Sequence, residues 1–457
     1  MTSSKNIAIF HYQVGNTDGV SLEIEKWQTA LENLGHRVTL CAGDLGVRDG
    51  CLIPEMYHHL SEIELIDRNS FRKLTDFSVS ELWDEISDRA RSLEIKFEDF
   101  IRSNQIDLLL PNNLWSVAMN LPAAVALENV RRKLALPAIA HHHDFYWERK
   151  GDINLTCYPV MEIADRYLPP HKPDIRHVVI NSLAKDELYE RKGVDALIVP
   201  NVMDFDSTEG QLDEYNRDLR DSIGLKPNDI FILQATRIVT RKAIELAIDL
   251  VRALNEPDRR EKLLNTRLYN GQKFSKDSNI VLVLAGYDKD DATGTYLQRL
   301  LDKAARENVK IKHIAPIVAN TRQEHADKKL YSLWDCYASA DLVTYPSVWE
   351  GWGNQLLEAL RARLPVVLFE YPVFAADIKS SGLDVVSLGE KIVGMDETKL
   401  LKVPEETIQK AADDCVRLLT DRDHRESVTE KNFRICQKAY SLTRLQEQLA
   451  DMLESLT

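Results

Sequence analysis

Two glutamates, Glu350 and Glu358, stand eight positions apart in the stretch Tyr345-Pro-Ser-Val-Trp-Glu-Gly-Trp-Gly-Asn-Gln-Leu-Leu-Glu358. Gly351 and Gly353 lie between them, followed by the start of an apolar run of helical period. A strand over Leu342–Tyr345 would lead through a glycine turn into a helix. Backbone N–H groups at such a helix start suit a phosphate. Two carboxylates beside a phosphate site suit a ligand that is part phosphate and part polyhydroxyl, as a nucleotide-activated sugar is. Glu358 is placed to accept hydrogen bonds from ribose hydroxyls, because a carboxylate takes two such donors. Glu350 is placed to orient sugar hydroxyls near the anomeric carbon. Glu358 also has a plainer reading, as a charge in the first turn of a helix steadied by the helix dipole.

A second group of residues suits the same ligand. In Ala235-Thr-Arg-Ile-Val-Thr-Arg-Lys242, Arg237 and Lys242 are five residues apart on a loop leaving a buried strand. Arg offers a planar fork and Lys a compact charge, and together they would clamp a diphosphate. Cations that meet a departing diphosphate stabilise the transition state. Arg241 competes with Lys242 for the role, and a solvated loop is the bland alternative. Earlier in the chain, His141-His-His-Asp-Phe-Tyr-Trp-Glu-Arg149 follows another buried strand. Neighbours in extended chain point to opposite faces, so two of the three histidines at most would share a metal without a bend. No second His or Cys pair has ligand spacing, and the expectation is no metal. A histidine at a strand's carboxyl end can instead bond a substrate hydroxyl or its developing charge; His142 and His143 are the candidates. Gly15-Asn-Thr-Asp-Gly19 is the first strand–helix loop. It is not G-x-G-x-x-G, which weakens a dinucleotide reading. Gly15 and Gly19 allow close backbone approach to a ligand, and Asp18 could bind acceptor hydroxyls; an ordinary turn explains the loop equally well.

The elements that would position these residues alternate between short apolar strands and longer amphipathic helices, the pattern of βαβ units and parallel sheets. Expected strands are Ile7–Tyr12, Arg37–Ala42, Asp107–Pro111, Ala138–His142, His177–Asn181 and Leu197–Pro200, with a helix over Ser21–Leu34. A polar stretch from Asp206 to Asp229 reads as the crossover into a second domain. There the expected strands are Ile230–Ala235, Ile280–Ala285, Lys310–Ala315 and Val366–Phe369, and the expected helices Ala243–Leu254, Leu330–Ala340, Glu405–Leu419 and Arg425–Leu453. The charged, helix-prone segment Asp49–Ile95 reads as an insertion. At 457 residues the chain is too long for one ordinary core. Two doubly wound domains would bind ligands at the carboxyl ends of their strands.

Composition narrows the function classes. A net charge of −14 argues against binding nucleic-acid backbones. No apolar run is long enough to span a bilayer, and the N-terminus lacks a signal-peptide pattern. The scattered cysteines Cys41, Cys51, Cys157, Cys336, Cys415 and Cys436 contain no C-x-x-C and read as reduced thiols of a cytoplasmic protein.

Taken in order, these pieces resemble the family 4 retaining glycosyltransferases. Glu350 to Glu358 looks like that family's E-x7-E signature, and Val199-Pro-Asn-Val-Met-Asp204 like its "PNGVD" element. Ala235–Lys242 resembles the family's diphosphate loop, and Leu282–Gly286 its "LAG" strand. The resemblance implies the GT-B fold: two Rossmann-like domains, residues 1–205 for the acceptor and 206–430 for the donor, facing across a cleft. Residues 431–457 would form a C-terminal helix crossing back to the first domain. It implies that Arg237 and Lys242 bind the donor diphosphate, Glu350 the donor sugar and Glu358 the ribose. Backbone from Gly351 through Trp352, Gly353, Asn354 and Gln355 to Leu356 would touch sugar and phosphate. His143 would be the acceptor-side histidine. Departures are Ala235-Thr236 and Ala243, where glycine is common, and Asn354-Gln355, where apolar residues and proline often stand.

The expected activity is therefore transfer of a hexose, with retention, from a nucleotide diphosphate sugar to a small soluble acceptor such as a sugar, a sugar phosphate or a glycerate-type solute. GDP-mannose or UDP-glucose is the expected donor, and no cofactor is required. A lipid-linked or glycan acceptor at a membrane surface is the enzymatic alternative. A non-catalytic nucleotide-sugar or glycan-binding regulator is the alternative of another class.

Overall fold

Runs such as Ile230-Phe-Ile-Leu-Gln234 and Ile280-Val-Leu-Val-Leu284 are buried at every position, as strands of a parallel sheet covered on both faces must be. The computed structural model describes residues 4–15, 18–149, 151, 153–289, 291, 294–325 and 328–456. The chain divides into two units, Met1–Val202 with Leu442–Thr457, and Met203–Ser441.

The first unit is built on strands β1 (Asn6–His11), β2 (Arg37–Ala42), β3 (Cys51–Leu52), β4 (Leu108–Pro111), β5 (Ala138–His142), β6 (Ile175–Val179) and β7 (Leu197–Ile198). They form one parallel sheet in the order β3-β2-β1-β4-β5-β6-β7. The order reverses between β1 and β4, the place where an open α/β sheet leaves a crevice. Alternate side chains of β1 feed two cores: Ala8 and Phe10 on one face, Ile7 and Ile9 on the other. The helix Leu442–Glu454 brings Leu445, Leu449, Met452 and Leu453 into the second of these cores, against Ile24, Trp27 and Leu31 of the helix Gly19–Asn33. Their spacing of four, seven and eight residues makes one helical face.

The second unit is built on β8 (Ile230–Gln234), β9 (Ile280–Leu284), β10 (Lys310–His313), the short β11 (Val318–Ala319), β12 (Gln323–His325) and β13 (Lys328–Ser332), then β14 (Leu342–Tyr345), β15 (Val366–Leu368) and β16 (Val386–Ser387). The main sheet runs β10-β9-β8-β14-β15-β16, all parallel, and β11, β13 and β12 form a separate small sheet. The helix Asn354–Arg361 follows β14.

Several strand and helix ends shift by two residues or so, as the helix expected from Ala243 begins at Glu245 and the strand expected to Ala315 ends at His313; three expectations change more. The helix expected from Leu330 begins at Leu333, because Leu330 pairs with Gln323 in β12 and Ser332 caps the helix reciprocally with Asp335. The single helix expected over Arg425–Leu453 is two, Arg422–Ala439 and Leu442–Glu454. The break falls where the Tyr440 carbonyl turns away from the helix to accept the Met203 N–H at 2.8 Å. Asp49–Ile95 is no insertion. It supplies edge strand β3, the helix Ser61–Phe71 and most of the helix Val79–Ser103, whose Leu82, Ile86, Leu93 and Phe97 join the main core.

Candidate active site

In the second unit the site begins at the carboxyl end of β8. Gln234 donates to Thr236 Oγ1 at 2.7 Å and accepts from Thr344 Oγ1 at 2.7 Å, which ties the ends of β8 and β14 together. The loop after β8 is laid against the end of β9. The Ile238 N–H donates to the Tyr287 carbonyl at 2.8 Å, and a Cβ on Gly286 would fall 1.9 Å from the Thr236 carbonyl oxygen. Only glycine permits that approach. The loop closes in a short 3-10 turn, Thr240–Lys242, followed by Ala243 in the left-handed region at φ 45°. An alanine there carries strain that a glycine would not, which accounts for the glycine of the family pattern.

This turn meets the stretch after β14. The Val348 N–H donates to the Arg241 carbonyl at 3.0 Å. The Arg241 guanidinium binds the Trp349 carbonyl at 2.9 Å and Glu350 Oε2 at 2.8 Å, and the Lys242 ammonium binds Glu350 Oε1. Lys242 and Glu350 side chains are only 4% and 9% exposed. Burial pushes the Lys242 ammonium down to about 8, against the upward pull of Glu350. For Glu350, burial pushes upward, but the Lys242 and Arg241 charges hold the carboxyl below its ordinary value. Arg237 is exposed, and its charge counts among those that depress Lys242. The sequence weighed Arg241 against Lys242; the structure brings both onto Glu350, which therefore meets cations through both oxygens.

Gly353 precedes the helix Asn354–Arg361 at φ 138° and ψ 58°. A Cβ there would stand 2.4 Å from the Tyr371 hydroxyl, which donates to the Trp352 carbonyl at 2.6 Å. Trp352 is buried edge-on against Tyr440. Asn354 and Gln355 are half-buried at the helix start, and Leu356 is buried beneath them. Glu358 is the fifth helical residue, so it lies in the second turn and the first-turn reading is corrected. Its Oε2 accepts the Tyr337 hydroxyl at 2.8 Å. Tyr337 and Tyr371 escaped the sequence reading because their partners are set by packing across the unit, and no local spacing signals them.

In the first unit the carboxyl ends of β1, β4 and β5 carry imidazoles and amides. His11 Nδ1 lies 2.7 Å from the Asn112 carbonyl, and Asn113 Oδ1 accepts the His143 N–H at 2.7 Å. The three consecutive histidines alternate as extended chain requires. His141 stacks on Trp27 with ring centroids 4.1 Å apart and lies 4.3 Å from His143. His142 turns to the other face, its Nε2 3.0 Å from His177 Nδ1. His142 is thus engaged in a buried imidazole pair, whereas His143 Nε2 meets no hydrogen-bond partner among the described residues. Burial, assisted by His11 and Lys26, pushes His143 down to about 3 and keeps the ring neutral. Among the described residues no group of three or more His, Cys, Asp and Glu side chains is placed to hold a metal ion.

Asp18 caps the first helix. It accepts from the N–H groups of Val20 and Ser21 at 3.1 and 3.0 Å and from the Ser21 hydroxyl at 2.6 Å. Burial pushes its carboxyl upward, but the Ser21 bonds hold it below its ordinary value. Gly19 opens that helix. Gly15, at φ 74°, packs against the Leu45 carbonyl, 2.5 Å from where a Cβ would be. Asn16 and Thr17 of this loop lie outside the described residues. All six cysteines are free thiols, and no described helix is long and apolar enough to cross a membrane.

The chain matches known proteins along its whole length. Residues 216–434 match the family described as glycosyl transferases group 1. A mannosylglucosylglycerate synthase of Petrotoga mobilis is 39% identical over 415 residues, 91% of this chain and 93% of that one. A protein of the same name from Thermotoga maritima is 38% identical over 445 residues, 97% of this chain and 98% of that one. Among solved structures, a glycosyltransferase of Rickettsia africae superposes with a TM-score of 0.62 at 11% identity, covering 100% of this chain and 99% of that one. At that identity the likeness speaks for the fold, which is GT-B: two Rossmann-like units, each on a parallel sheet.

Proposed function

We propose a reaction from one premise: the chain belongs to the group 1 glycosyl transferases, beside two relatives named mannosylglucosylglycerate synthases. It transfers mannose from a nucleoside diphosphate donor to a hydroxyl of glucosylglycerate, with retention of anomeric configuration. The observation that carries this reading is the alignment of those relatives over 91% and 97% of the chain.

The second unit holds the donor. Arg237 and Lys242 meet the diphosphate, with Arg241 beside them. Glu350 contacts the donor sugar while keeping Lys242 and Arg241 oriented. Glu358 accepts the ribose hydroxyls, and backbone from Gly351 to Leu356 touches sugar and phosphate. The bond from the anomeric carbon to the diphosphate oxygen breaks, and its electron pair goes to that oxygen. The acceptor oxygen bonds to the same face of the carbon, and its proton passes to the departing phosphate. Negative charge therefore grows on the diphosphate, where a cation is worth most in a water-poor site. His143, uncharged near neutral pH, serves the acceptor as a hydrogen-bonding group. Gly15, Asp18, Gly19 and His142 support that side through the loop and strand that hold it.

The test is incubation with glucosylglycerate and either GDP-mannose or UDP-glucose. The reading expects release of the nucleoside diphosphate together with a product one hexose heavier, formed with GDP-mannose, whose new linkage keeps the donor's anomeric configuration by NMR. A parallel thermal-shift screen of UDP, GDP, ADP and their hexose conjugates identifies the base, because a ligand bound only by the folded state raises its stability. A shift with no product from any acceptor would assign the chain to binding without turnover.

A further inference from the structure

The second unit carries a basic hollow at the opposite edge of its sheet from the donor loop. Lys226, Arg260, Lys276 and Lys310 line a cavity of about 430 Å³, in which Asp277 is the one acidic side chain. The chain as a whole has 72 acidic residues to 58 basic, so four cations to one carboxylate is a local inversion. Among the described residues none of these cations forms an ion pair. Lys226 donates to the Asp277 carbonyl at 3.2 Å, Lys310 to Asn279 Oδ1 at 2.5 Å, and Arg260 to Asn255 Oδ1 and the Ser278 carbonyl at 2.9 and 3.1 Å. Elsewhere in this unit cations find carboxylates, as Lys303 does with Asp249 and Arg259 with Asp413. The hollow instead holds Lys226, Arg260 and Lys310 on neutral oxygens, which orient these charges without a carboxylate in contact.

A second cavity of about 460 Å³ adjoins it, sharing Asn279 and Lys310 and floored by Leu225, Val281 and Leu301, with Lys312 at its side. Asp229 also lines it, but its carboxylate is directed at the Asn279 and Lys226 N–H groups, at 2.7 and 2.9 Å. A doubly charged head beside a small organic body fits this pair of spaces. Both lie at the amino ends of β8, β9 and β10, whereas Arg237 and Lys242 follow the carboxyl end of β8. Five strand residues separate the two edges, about 17 Å at 3.3 Å per residue.

We propose that the amino edge of the second sheet binds a phosphate monoester of a small organic molecule, with the phosphate among Lys226, Arg260, Lys276 and Lys310. Phosphate takes charge-assisted hydrogen bonds from both guanidinium and ammonium groups. The site is separate from the reaction and does not depend on the donor or acceptor assigned above.

Calorimetric titration of the full chain tests it, with glucose 6-phosphate as the probe and inorganic phosphate and glucose as comparison arms. The variant carries Lys226→Gln, Lys276→Gln and Lys310→Gln, three exposed positions whose loss leaves the core intact. The expected results are saturable binding of glucose 6-phosphate that weakens as salt rises, no binding of glucose, and a loss of about tenfold or more in affinity in the triple variant. Nucleoside diphosphate affinity and melting temperature stay unchanged. Inorganic phosphate that binds with the same loss shows that the phosphate group carries the recognition. Equal affinity in the triple variant overturns the proposal. So does binding that survives there but vanishes in Arg237→Ala, because it then belongs to the donor loop. Failure of glucose 6-phosphate and phosphate to bind while polyglutamate binds overturns it in favour of an acidic protein partner.

Discussion

The carboxyl edges of the two sheets are both polar and both buried, yet the rings at one are uncharged while the other carries a cluster of paired ions. In the first unit the strand ends carry His11 and His143, which burial keeps uncharged. In the second they carry Lys242 and Glu350, equally buried but charged. The difference is compensation. A buried ion persists when an opposite charge and hydrogen bonds meet it, and otherwise the group neutralises. Glu350 has two cations in contact. Asp18, whose charge acts on both rings, has its oxygens occupied by the first turn of a helix. A neutral edge suits a polyhydroxyl that stays neutral; an ionic edge suits a group whose negative charge grows.

The largest test of this contrast is Lys242→Gln. Turnover is expected to fall by roughly a hundredfold or more, as when one transition-state donor is removed. The fold should also lose about 3 kcal/mol, because Glu350 stays buried with Arg241 alone. Adding Glu350→Gln should restore much of the lost stability, read by denaturant titration, without restoring turnover. A single variant with full activity would erase the distinction between the edges. Arg237→Ala comes next. The side chain is exposed, so turnover is expected to drop by about tenfold to a hundredfold with the melting temperature unmoved. A matching loss of stability would make Arg237 part of the scaffold.

Much of the second edge was legible in the sequence because it is local. Strand, glycine turn and helix follow one another from Leu342 to Glu358, and the boundaries of Leu342–Tyr345 agree with the structure residue for residue, as do those of Arg37–Ala42 and Ala138–His142 in the first unit. What escaped is what packing across the chain decides. The closeness of Gly286 to Thr236 and of Gly353 to Tyr371 arises between segments far apart in sequence. The pairing of His142 with His177, which sits on a neighbouring strand, is a contact of the same kind. The Asp49–Ile95 segment read as an insertion because its charged face outnumbers its apolar stripe, although that stripe belongs to the main core. Arg241 was half-legible. Its neighbour Lys242 has the same charge, and only the fold showed that both reach one carboxylate.

Glu358→Gln sharpens the contrast within the second edge. The Tyr337 hydroxyl still finds an acceptor in the amide, so the fold should hold. Nucleotide affinity is expected to weaken by about tenfold, the worth of a hydrogen bond to a charged group. Equal affinity by calorimetry would remove Glu358 from the ribose.

The smallest effect is in pH, where the two edges should behave differently without any substitution. Lys242 has a folded value of about 8, below its ordinary 10.5. Under that value it is protonated and can meet a diphosphate; as pH rises through about 8 it loses the charge. Donor kcat/KM is therefore expected to decline above pH 8, and the decline should be absent in whatever activity remains in Lys242→Gln. Stability linked to the same group runs the other way. Between about 8 and 10.5 the unfolded chain holds the proton that the folded chain has released, so this contribution rises with pH. His143, at about 3, changes charge far below this range, and the profile between pH 5 and 8 should carry no inflection that His143→Asn abolishes. An inflection near 6.5 that disappears in His143→Asn would mean that the ring is protonated in the working range. The first edge would then be ionic as well, and the separation of a neutral acceptor side from a charged donor side would fail.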